Sequence, residues 1–222
     1  VTASDLLIYR NLAFNSGAFM GAKSTGGNIV NTFNNITAAY NIASDSAALI
    51  IQYIKPGSFG NITTTFNNSI IYKNFAPVLK AIGSIPYYIG GSNNPKNVVS
   101  SVLGSNMTFN YCSIDTSACY ENTTCGAGMQ YNQDPLFTDS TNNDYTLQSG
   151  SPAIDAGDNS KRPSRVTVDL AINNRVFNST VDIGAYEFGA SPLSIQDNNV
   201  LNEAIIYPNP VSKEITFKRD NS

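Results

Sequence analysis

The 222-residue chain contains no histidine and no tryptophan, and only 13% of its residues are charged. The lack of histidine excludes Ser-His-Asp and Cys-His hydrolysis, His-ligated metal centres and imidazole acid–base catalysis. A formal net charge of −3 gives no basic field for nucleic-acid phosphates or anionic lipid, so we expect neither as a partner. Chemistry is left to carboxylates, Lys, Arg, Tyr and Cys.

Long apolar runs are also missing, and cysteine is scarce. No run approaches the roughly 20 residues that a membrane-spanning helix needs, so no membrane span is predicted. The chain starts at Val1 without a leader pattern, and we expect this start to be a fragment boundary or a mature end. Of the three cysteines, Cys112, Cys119 and Cys125, the last two form the preferred disulfide pair, which suits an oxidising compartment; three free thiols are the alternative.

Asparagine is abundant, at 29 residues, and it recurs in repeated segments. Asn28–Asn35 and Asn61–Asn68 share the pattern N-I-x-x-T-F-N-N at an offset of 33 residues, and Thr108–Asn110 is a shorter third copy. Leu7–Asn11 similarly matches Ile70–Asn74, with Tyr40 between them. A regular period with uneven spacers indicates a coiled architecture whose loops vary in length.

The repeated unit is a set of short strands. Each copy holds β-branched runs between Asn, Gly and Ser, with no long helical stripe. Such a unit cannot bury its apolar face alone, so the copies must stack. The sequence therefore predicts an all-β right-handed parallel β-helix, a solenoid, over residues 1–133; a β-sandwich of unrelated strands is the alternative. Asn34, Asn67 and Asn110, each after an aligned Phe, are predicted to form a hydrogen-bonded ladder across rungs about 4.8 Å apart.

The composition changes after residue 133. The chain there reads D-P-L-F from Asp134, D-Y-T-L-Q-S-G-S-P-A-I-D-A-G from Asp144, then Asp169, Arg175 and V-D-I-G-A-Y-E from Val181. These motifs resemble the choice-of-anchor Q domain, which ends bacterial right-handed parallel β-helix proteins. The resemblance implies a capping module over residues 134–189 of a secreted or surface-exposed protein. In the intervening loop the family usually shows Asp-Leu-Asp-Gly and a Pro before the Arg, whereas Ala171 and Asn174 occupy those places here.

A polar linker, residues 190–200, precedes a tail at residues 201–222. The tail contains Y-P-N-P-V from Tyr207 and a following strand pattern from Ile215. It is similar to the start of the type A C-terminal sorting domain of type IX secretion, and it is shorter than that domain. The resemblance implies a truncated β sorting tail, the type IX secretion machinery as a partner, and a location outside the cell or on its outer surface.

Half of the 16 acidic residues lie between Asp134 and Glu187. Calcium is the one cofactor that this stretch makes possible, since hard cations prefer oxygen ligands; the candidate ligands are Asp139, Asn142 and Asp144. The alternative is that these residues form turns and helix caps. Arg175 is expected to pair inside the module with one of three carboxylates, Asp155, Asp169 or Asp182.

The hypothesis that this chain is an enzyme depends on the tyrosine repeats. A polysaccharide lyase needs a base and a cation beside the sugar carboxylate, and Arg10 and Lys73 follow aligned tyrosines. Tyr9, Tyr40 and Tyr72 would then provide a surface on which sugars stack. The alternative is that the tyrosines pack beside the stack and the cations stay solvated.

Glycan binding is the leading functional hypothesis. A solenoid presents a long, flat, Asn/Thr/Tyr-rich surface that suits an extracellular polysaccharide or cell-surface glycan. The run Thr63–Thr65 also suggests an ice-facing ladder, although we expect no matching threonines in the other copies. We expect a binding, structural or adhesive protein that is non-catalytic in this segment. The alternative is the C-terminal portion of a β-helix polysaccharide lyase or glycoside hydrolase.

Overall fold

The computed structural model describes residues 1–13, 20–24, 26–43, 50–54, 60–74, 105–115 and 123–192. Regular structure in these ranges is almost all β-strand. The helices in these ranges are two single-turn 3₁₀ helices, Ser140–Asn142 and Asn159–Lys161. The strands are β1 Thr2–Tyr9, β2 Leu12–Ala13, β3 Met20–Ser24, β4 Ile29–Ala39, β5 Ile42–Ala43, β6 Ile50–Ile54, β7 Ile62–Asn67, β8 Ile70–Tyr72, β9 Ser105–Asn110, β10 Ser113–Ile114, β11 Thr123–Cys125, β12 Gln130–Tyr131, β13 Phe137–Asp139 and β14 Asp144–Leu147.

Successive turns of the chain stack in parallel. Strands β1, β4, β7, β9 and β11 pair in that order, and β4, β8, β10 and β12 continue the same sheet beyond a corner. β4 pairs with β7 along its first part and with β8 along its last three residues, so it lines both sides of the corner. β2 pairs with β5 and β3 with β6, again in parallel. The predicted all-β solenoid of the β-helix type is confirmed, and the β-sandwich alternative is wrong.

The register follows the repeats found in the sequence. Phe33 pairs with Phe66, and Phe66 with Phe109, on neighbouring parallel strands. The ring centroids are 5.1 and 5.3 Å apart, so the three phenylalanines stack rung on rung inside the solenoid. The right-handed sense stays a prediction, in line with the strong preference of parallel crossovers for that hand.

One sequence alignment needs a correction of a single residue. Tyr9 pairs with Ala39, and Ala39 pairs with Tyr72. Tyr40 therefore occupies the position of Arg10 and Lys73, one residue beyond the two tyrosines. All three of these residues have positive φ angles, between 47° and 57°, which form a second corner of the coil.

The abundance of asparagine follows partly from the first corner. Asp5, Asn35, Asn68 and Tyr111 lie at equivalent positions of four rungs and have φ angles of 48° to 55°. Asn and Asp tolerate this left-handed conformation better than other residues with a side chain. On the next rung the position is filled by Gly128, where a Cβ atom would lie 2.2 Å from the Tyr111 ring. The fold thus selects Asn, Asp or Gly at this corner in four rungs out of five.

Residues 134–188 form a module that covers the flank of the solenoid across several rungs. The module contains the antiparallel pair β13–β14 and the two 3₁₀ turns, joined by irregular segments. Gly184 donates its backbone N–H to the Asn68 carbonyl at 2.9 Å, and Ala185 donates to Thr37 Oγ1 at 2.9 Å. The module thereby buries outward-facing residues of β4 and β8, and it shares with them an apolar cluster made of Ala39, Ile70, Tyr72, Phe137, Tyr145, Leu147, Ala153 and Ile183.

The predicted sorting tail and most of the predicted linker, residues 193–222, lie outside the described residues. In the part of the chain that the structure describes, no helix has the length and apolar character that crossing a membrane requires.

Candidate functional site

A column of five threonines runs across the outward face of the sheet. The residues pair in sequence along neighbouring strands: Thr2, Thr32, Thr65, Thr108 and Thr124. They are exposed or half-buried, whereas the phenylalanines that follow three of them are buried. This alternation arises because successive side chains of a strand point to opposite faces of the sheet. We call these five residues the threonine column.

A second, shorter column lies beside it. Val30, Thr63 and Asn106 pair across β4, β7 and β9, two residues before members of the threonine column. Val30 and Asn106 are exposed and Thr63 is half-buried. Neither column contains a charged side chain. The two columns form a neutral face in which hydroxyl groups and methyl groups repeat about every 4.8 Å, the spacing of neighbouring strands.

The expectation that threonines find no match in the other copies was wrong. The run Thr63–Thr65 cannot itself form the ladder, because a strand does not direct three consecutive side chains to one face of the sheet. The useful signal was the T-F-N pattern, since the threonine before each aligned phenylalanine belongs to the column. Thr2 and Thr124 lie in segments with no such pattern, and the register of the strands was needed to find them.

An asparagine ladder supports this face at the end of the strands. Asn110 Nδ2 donates to Asn67 Oδ1 at 3.0 Å, and Asn67 Nδ2 donates to Asn34 Oδ1 at 2.9 Å. Asn34 Nδ2 continues to Ser4 Oγ at 3.4 Å. The next rung carries Gly126, where a Cβ atom would lie 2.0 Å from Asn110 Oδ1. The three asparagines identified in the sequence thus form the ladder, and a residue without a side chain ends it.

A second ladder follows the other corner. Asn11 Nδ2 donates to Asn41 Oδ1 at 2.8 Å, and Asn41 Nδ2 donates to Asn74 Oδ1 at 2.7 Å. Asn41 and Asn74 are fully buried. The sequence repeats matched Asn11 with Asn74, but Asn41 was missed because Tyr40 was aligned one residue out of register.

The candidate sugar-stacking tyrosines lie in the seam between the solenoid and the module. Tyr72 is 7% exposed, and its ring packs edge-on against Phe137 with centroids 6.1 Å apart. The Tyr9 ring lies 5.0 Å from that of Tyr145, and Tyr40 Oη lies 3.3 Å from Ser140 Oγ. Tyr72 is thus packed in the seam, whereas Tyr9 and Tyr40 are half-buried there, and a sugar-binding role for the three stays a prediction.

The two candidate catalytic cations share one column with Tyr40 between them. Arg10 Nη2 donates to the Ser140 carbonyl at 2.8 Å, which ties the guanidinium to the module. Lys73 Nζ lies 4.9 Å from the Tyr72 ring centroid, and a hydrogen bond with Tyr72 raises the pKa of Lys73. Lys73 is therefore a cation at neutral pH and is unsuited to act as a base.

A carboxylate accompanies Lys73. Asp115 Oδ2 accepts a hydrogen bond from the Lys73 backbone N–H at 2.6 Å. Burial raises the pKa of Asp115 to about 6. The hydrogen bond places this carboxyl group beside the backbone of Lys73.

The candidate calcium ligands act as caps and turns. Asp139 Oδ1 accepts hydrogen bonds from the backbone N–H groups of Thr141 and Asn142, at 3.1 and 3.2 Å, as the N-cap of the first 3₁₀ helix. The side chains of Thr141 and Asn142 also donate to Asp139 and hold the pKa of Asp139 down at about 2. Asp144 Oδ1 accepts from Thr146 N at 3.0 Å. Across the described ranges no group of three His, Cys, Asp or Glu side chains is placed to hold a metal ion, and calcium binding stays a prediction.

The buried arginine of the module has different ion-pair partners from those expected. Arg175 is 1% exposed; its Nε lies 3.5 Å from Asp5 Oδ1 in β1, and its Nη1 lies 3.6 Å from Glu187 Oε2. Its Nη2 donates to the backbone carbonyls of Asp182 and Gly184 at 2.9 and 2.7 Å. The expected pairing with the carboxylate of Asp155, Asp169 or Asp182 is thus corrected, because Arg175 reaches across the seam to the solenoid.

The carboxylates near Arg175 hold backbone segments together. Asp182 accepts from the N–H groups of Asp155 and Phe188, at 2.7 and 2.6 Å. Asp169 accepts from Ala171 N and Glu187 N, both at 2.9 Å. These hydrogen bonds fix the irregular segments of the module, including the loop in which the chain departs from the choice-of-anchor Q pattern.

The cysteines differ in state. Cys125 is disulfide-bonded, and Cys112 is a fully buried free thiol whose pKa is raised to about 12 by burial. Cys119 lies outside the described residues, so its pairing with Cys125 stays a prediction.

Comparisons of this chain with family models, with curated proteins and with solved structures find no match. The relationship to choice-of-anchor Q domains and to type IX sorting domains therefore remains a resemblance of motifs.

Proposed function

We propose that the protein is a secreted or cell-surface binding protein, non-catalytic in this segment, whose threonine column holds an extended and uncharged polysaccharide chain. The observation that carries the proposal is the unbroken register of five threonines on the outward face of five strands that are neighbours in the sheet.

The spacing of the column suits an extended glycan. Strand neighbours are about 4.8 Å apart, a length close to that of one sugar in a fully extended β-1,4-linked chain. Each threonine can donate and accept a hydrogen bond with a sugar hydroxyl, and its methyl group offers an apolar contact to the sugar face. A chain lying along the column would repeat the same contact on successive rungs.

The contacts that hold the threonine column in place also favour binding. The stacked phenylalanines and the asparagine ladder fix neighbouring rungs relative to one another. A surface that is already ordered loses little conformational entropy when a ligand binds. The absence of charge in both outward columns favours a neutral glycan over a uronate polymer, since no side chain there would pair with a sugar carboxylate.

The disulfide of Cys125 supports an extracellular location, because structural disulfides persist in oxidising compartments. Export by the type IX machinery through the tail at residues 201–222 is part of the proposal. A fusion of this tail to a reporter protein, expressed in a bacterium with that system, should direct the reporter outside the cell; retention of the reporter inside would contradict the assignment.

Binding is tested by removing the column's hydroxyl groups without changing its shape. The triple variant Thr32→Val, Thr65→Val, Thr108→Val keeps β-branched side chains, so the strands should be retained. We expect the affinity for β-1,4-linked oligosaccharides, measured by calorimetry, to fall roughly tenfold or more, since each lost hydrogen bond contributes about 1 kcal/mol. Thr167→Val, at an exposed position of the module, is the matched control and should bind as the unchanged protein does.

Two results would contradict the proposal: equal affinity in the triple variant, or no binding of the unchanged protein to any extended neutral glycan. Ice is the rival occupant of a regular threonine column. Inhibition of ice recrystallisation that disappears in the triple variant, together with an absence of glycan binding, would assign the face to ice instead.

The enzymatic alternative keeps one supporting observation, the placement of Arg10 and Lys73 in a single column with Asp115 nearby. A lyase would release unsaturated uronate products, which absorb in the ultraviolet. Appearance of that absorbance on incubation with uronate polymers, and its loss in the variant Lys73→Met, would support the lyase over the binding protein.

A further inference from the structure

The seam between the solenoid and the module contains an unusual concentration of buried charge. Arg175 and Glu187 have fully buried side chains, and the side chain of Asp5 is 13% exposed. Asp169 and Asp182 are 3% and 1% exposed. Asp5 is the one member of this group that the solenoid supplies, so its contact with Arg175 joins the two parts of the molecule.

The charges in the seam are not balanced. The guanidinium of Arg175 faces four carboxyl groups, those of Asp5, Asp169, Asp182 and Glu187. Its two ion pairs are long, at 3.5 and 3.6 Å, and Arg175 Nε, Arg175 Nη1 and Asp5 Oδ1 find no hydrogen-bond partner among the residues that the structure describes. The charged and titratable groups that act on this cluster are Asp5, Asp155, Arg162, Asp169, Arg175, Asp182 and Glu187. Full ionisation would leave several negative charges in a poorly hydrated space, which is costly.

We propose that protons control the docking of the module on the solenoid: the seam around Arg175 closes in mildly acidic solution and loosens in alkaline solution. Loosening would separate Asp5 from Arg175 and expose the apolar flank formed by β4 and β8. The change affects the contacts between the module and the solenoid, and it leaves the stacked rungs of the solenoid intact.

The direction follows from the carboxyl groups. Burial raises the pKa of Asp5 and of Asp182 to about 6, and burial together with the nearby Asp182 raises the pKa of Glu187 to about 8. A carboxyl group with a raised pKa binds more protons in the closed seam than in an open one. Its contribution to closure is therefore complete below about pH 4, the ordinary carboxyl range, and is lost as the pH rises through the raised values.

Hydrogen exchange of the full chain, followed by NMR and corrected for the intrinsic pH dependence of exchange, tests the proposal. Gly184 N–H and Ala185 N–H report on docking because they bond to Asn68 and Thr37 across the seam. We expect their protection to fall roughly tenfold or more between pH 5 and pH 9, since one pKa unit corresponds to a tenfold change in an equilibrium. The amides of β7 should keep their protection over the same range.

Variants identify the groups responsible. The double variant Asp5→Asn, Glu187→Gln removes two titrating charges and nearly preserves shape, so the fall in protection of the two reporter amides between pH 5 and pH 9 should shrink markedly, to the part that Asp182 contributes. Asp139→Asn, which removes a carboxylate of the module whose pKa is held down at about 2, should leave the pH dependence unchanged. Unchanged protection in the unmodified protein between pH 5 and pH 9 would overturn the proposal without any variant being needed. A parallel loss in the β7 amides would overturn it too, because the whole fold would then be opening.

Discussion

The solenoid and the flanking module achieve stability by different means. The solenoid repeats a few neutral contacts: stacked phenylalanines, two asparagine ladders and a corner that selects Asn or Gly. The module uses single contacts, with irregular segments tied by carboxylates and one buried arginine. Repetition spreads the stability of the solenoid over many equivalent bonds, whereas the module depends on a few irreplaceable side chains.

The dependence of the module on single side chains is tested by removing the buried arginine. Arg175→Met should lower the free energy of unfolding by about 3–5 kcal/mol, because Asp5 and Glu187 would lose their buried cation and the carbonyls of Asp182 and Gly184 would lose their donor. Urea unfolding followed by circular dichroism measures the loss. Arg165→Met, at an exposed position, is the matched control and should change stability by less than about 0.5 kcal/mol. A similar small effect at Arg175 would show that the module does not depend on it.

A smaller effect is expected where the module backbone touches the solenoid. At Gly184 the φ angle is 110°, and a Cβ atom would lie 2.8 Å from Ile70 Cδ1 and 2.9 Å from Thr37 Oγ1. Gly184→Ala should cost about 3 kcal/mol through backbone strain and overlap across the seam. Gly150 has a φ of 89° with no atom within 4 Å of its hypothetical Cβ. Gly150→Ala therefore measures the effect of backbone strain alone, and it should cost about 1 kcal/mol of stability. Equal melting temperatures for the two variants would show that Gly184 is not a close contact.

The smallest of these effects belongs to the repeated part. Asn67→Ala removes the donor to Asn34 and the acceptor for Asn110, and should cost about 2 kcal/mol, since buried groups left unpaired are destabilising. Asn106→Ala, exposed on the outward face, should be nearly neutral. Equal stability of these two variants would mean that the ladder contributes nothing beyond the sheet itself.

The same difference decides what the sequence could predict. A stack requires equivalent residues to recur, so the T-F-N copies indicated the β-helix, the phenylalanine stack and the ladder of Asn34, Asn67 and Asn110. The sequence aligned Tyr40 with Tyr9 and Tyr72, one residue away from its true position. Spacers of different length allow two registers, and a single tyrosine was the only marker that could distinguish them. The threonine column was visible in part, and its outer members required the strand register.

The module offered no recurrence to exploit. Arg175 could be assigned to the interior from its motif, but its partner Asp5 lies 170 residues away in the first strand. The contact between Arg175 and Asp5 depends on where the chain folds back along the flank of the solenoid. Local sequence patterns do not encode that position. The packing of Tyr9 and Tyr72 at the seam could not be predicted for the same reason, since it involves Tyr145 and Phe137 in the module.

The stacking of threonines rung on rung is tested most directly by NMR on protein with selectively labelled threonine methyl groups. Successive members of the threonine column should give strong through-space cross-peaks, Thr32 with Thr65 and Thr65 with Thr108, and a much weaker one or none between Thr32 and Thr108. A strong direct cross-peak between Thr32 and Thr108, or no cross-peak from Thr65 to either, would contradict the parallel register on which the binding face depends.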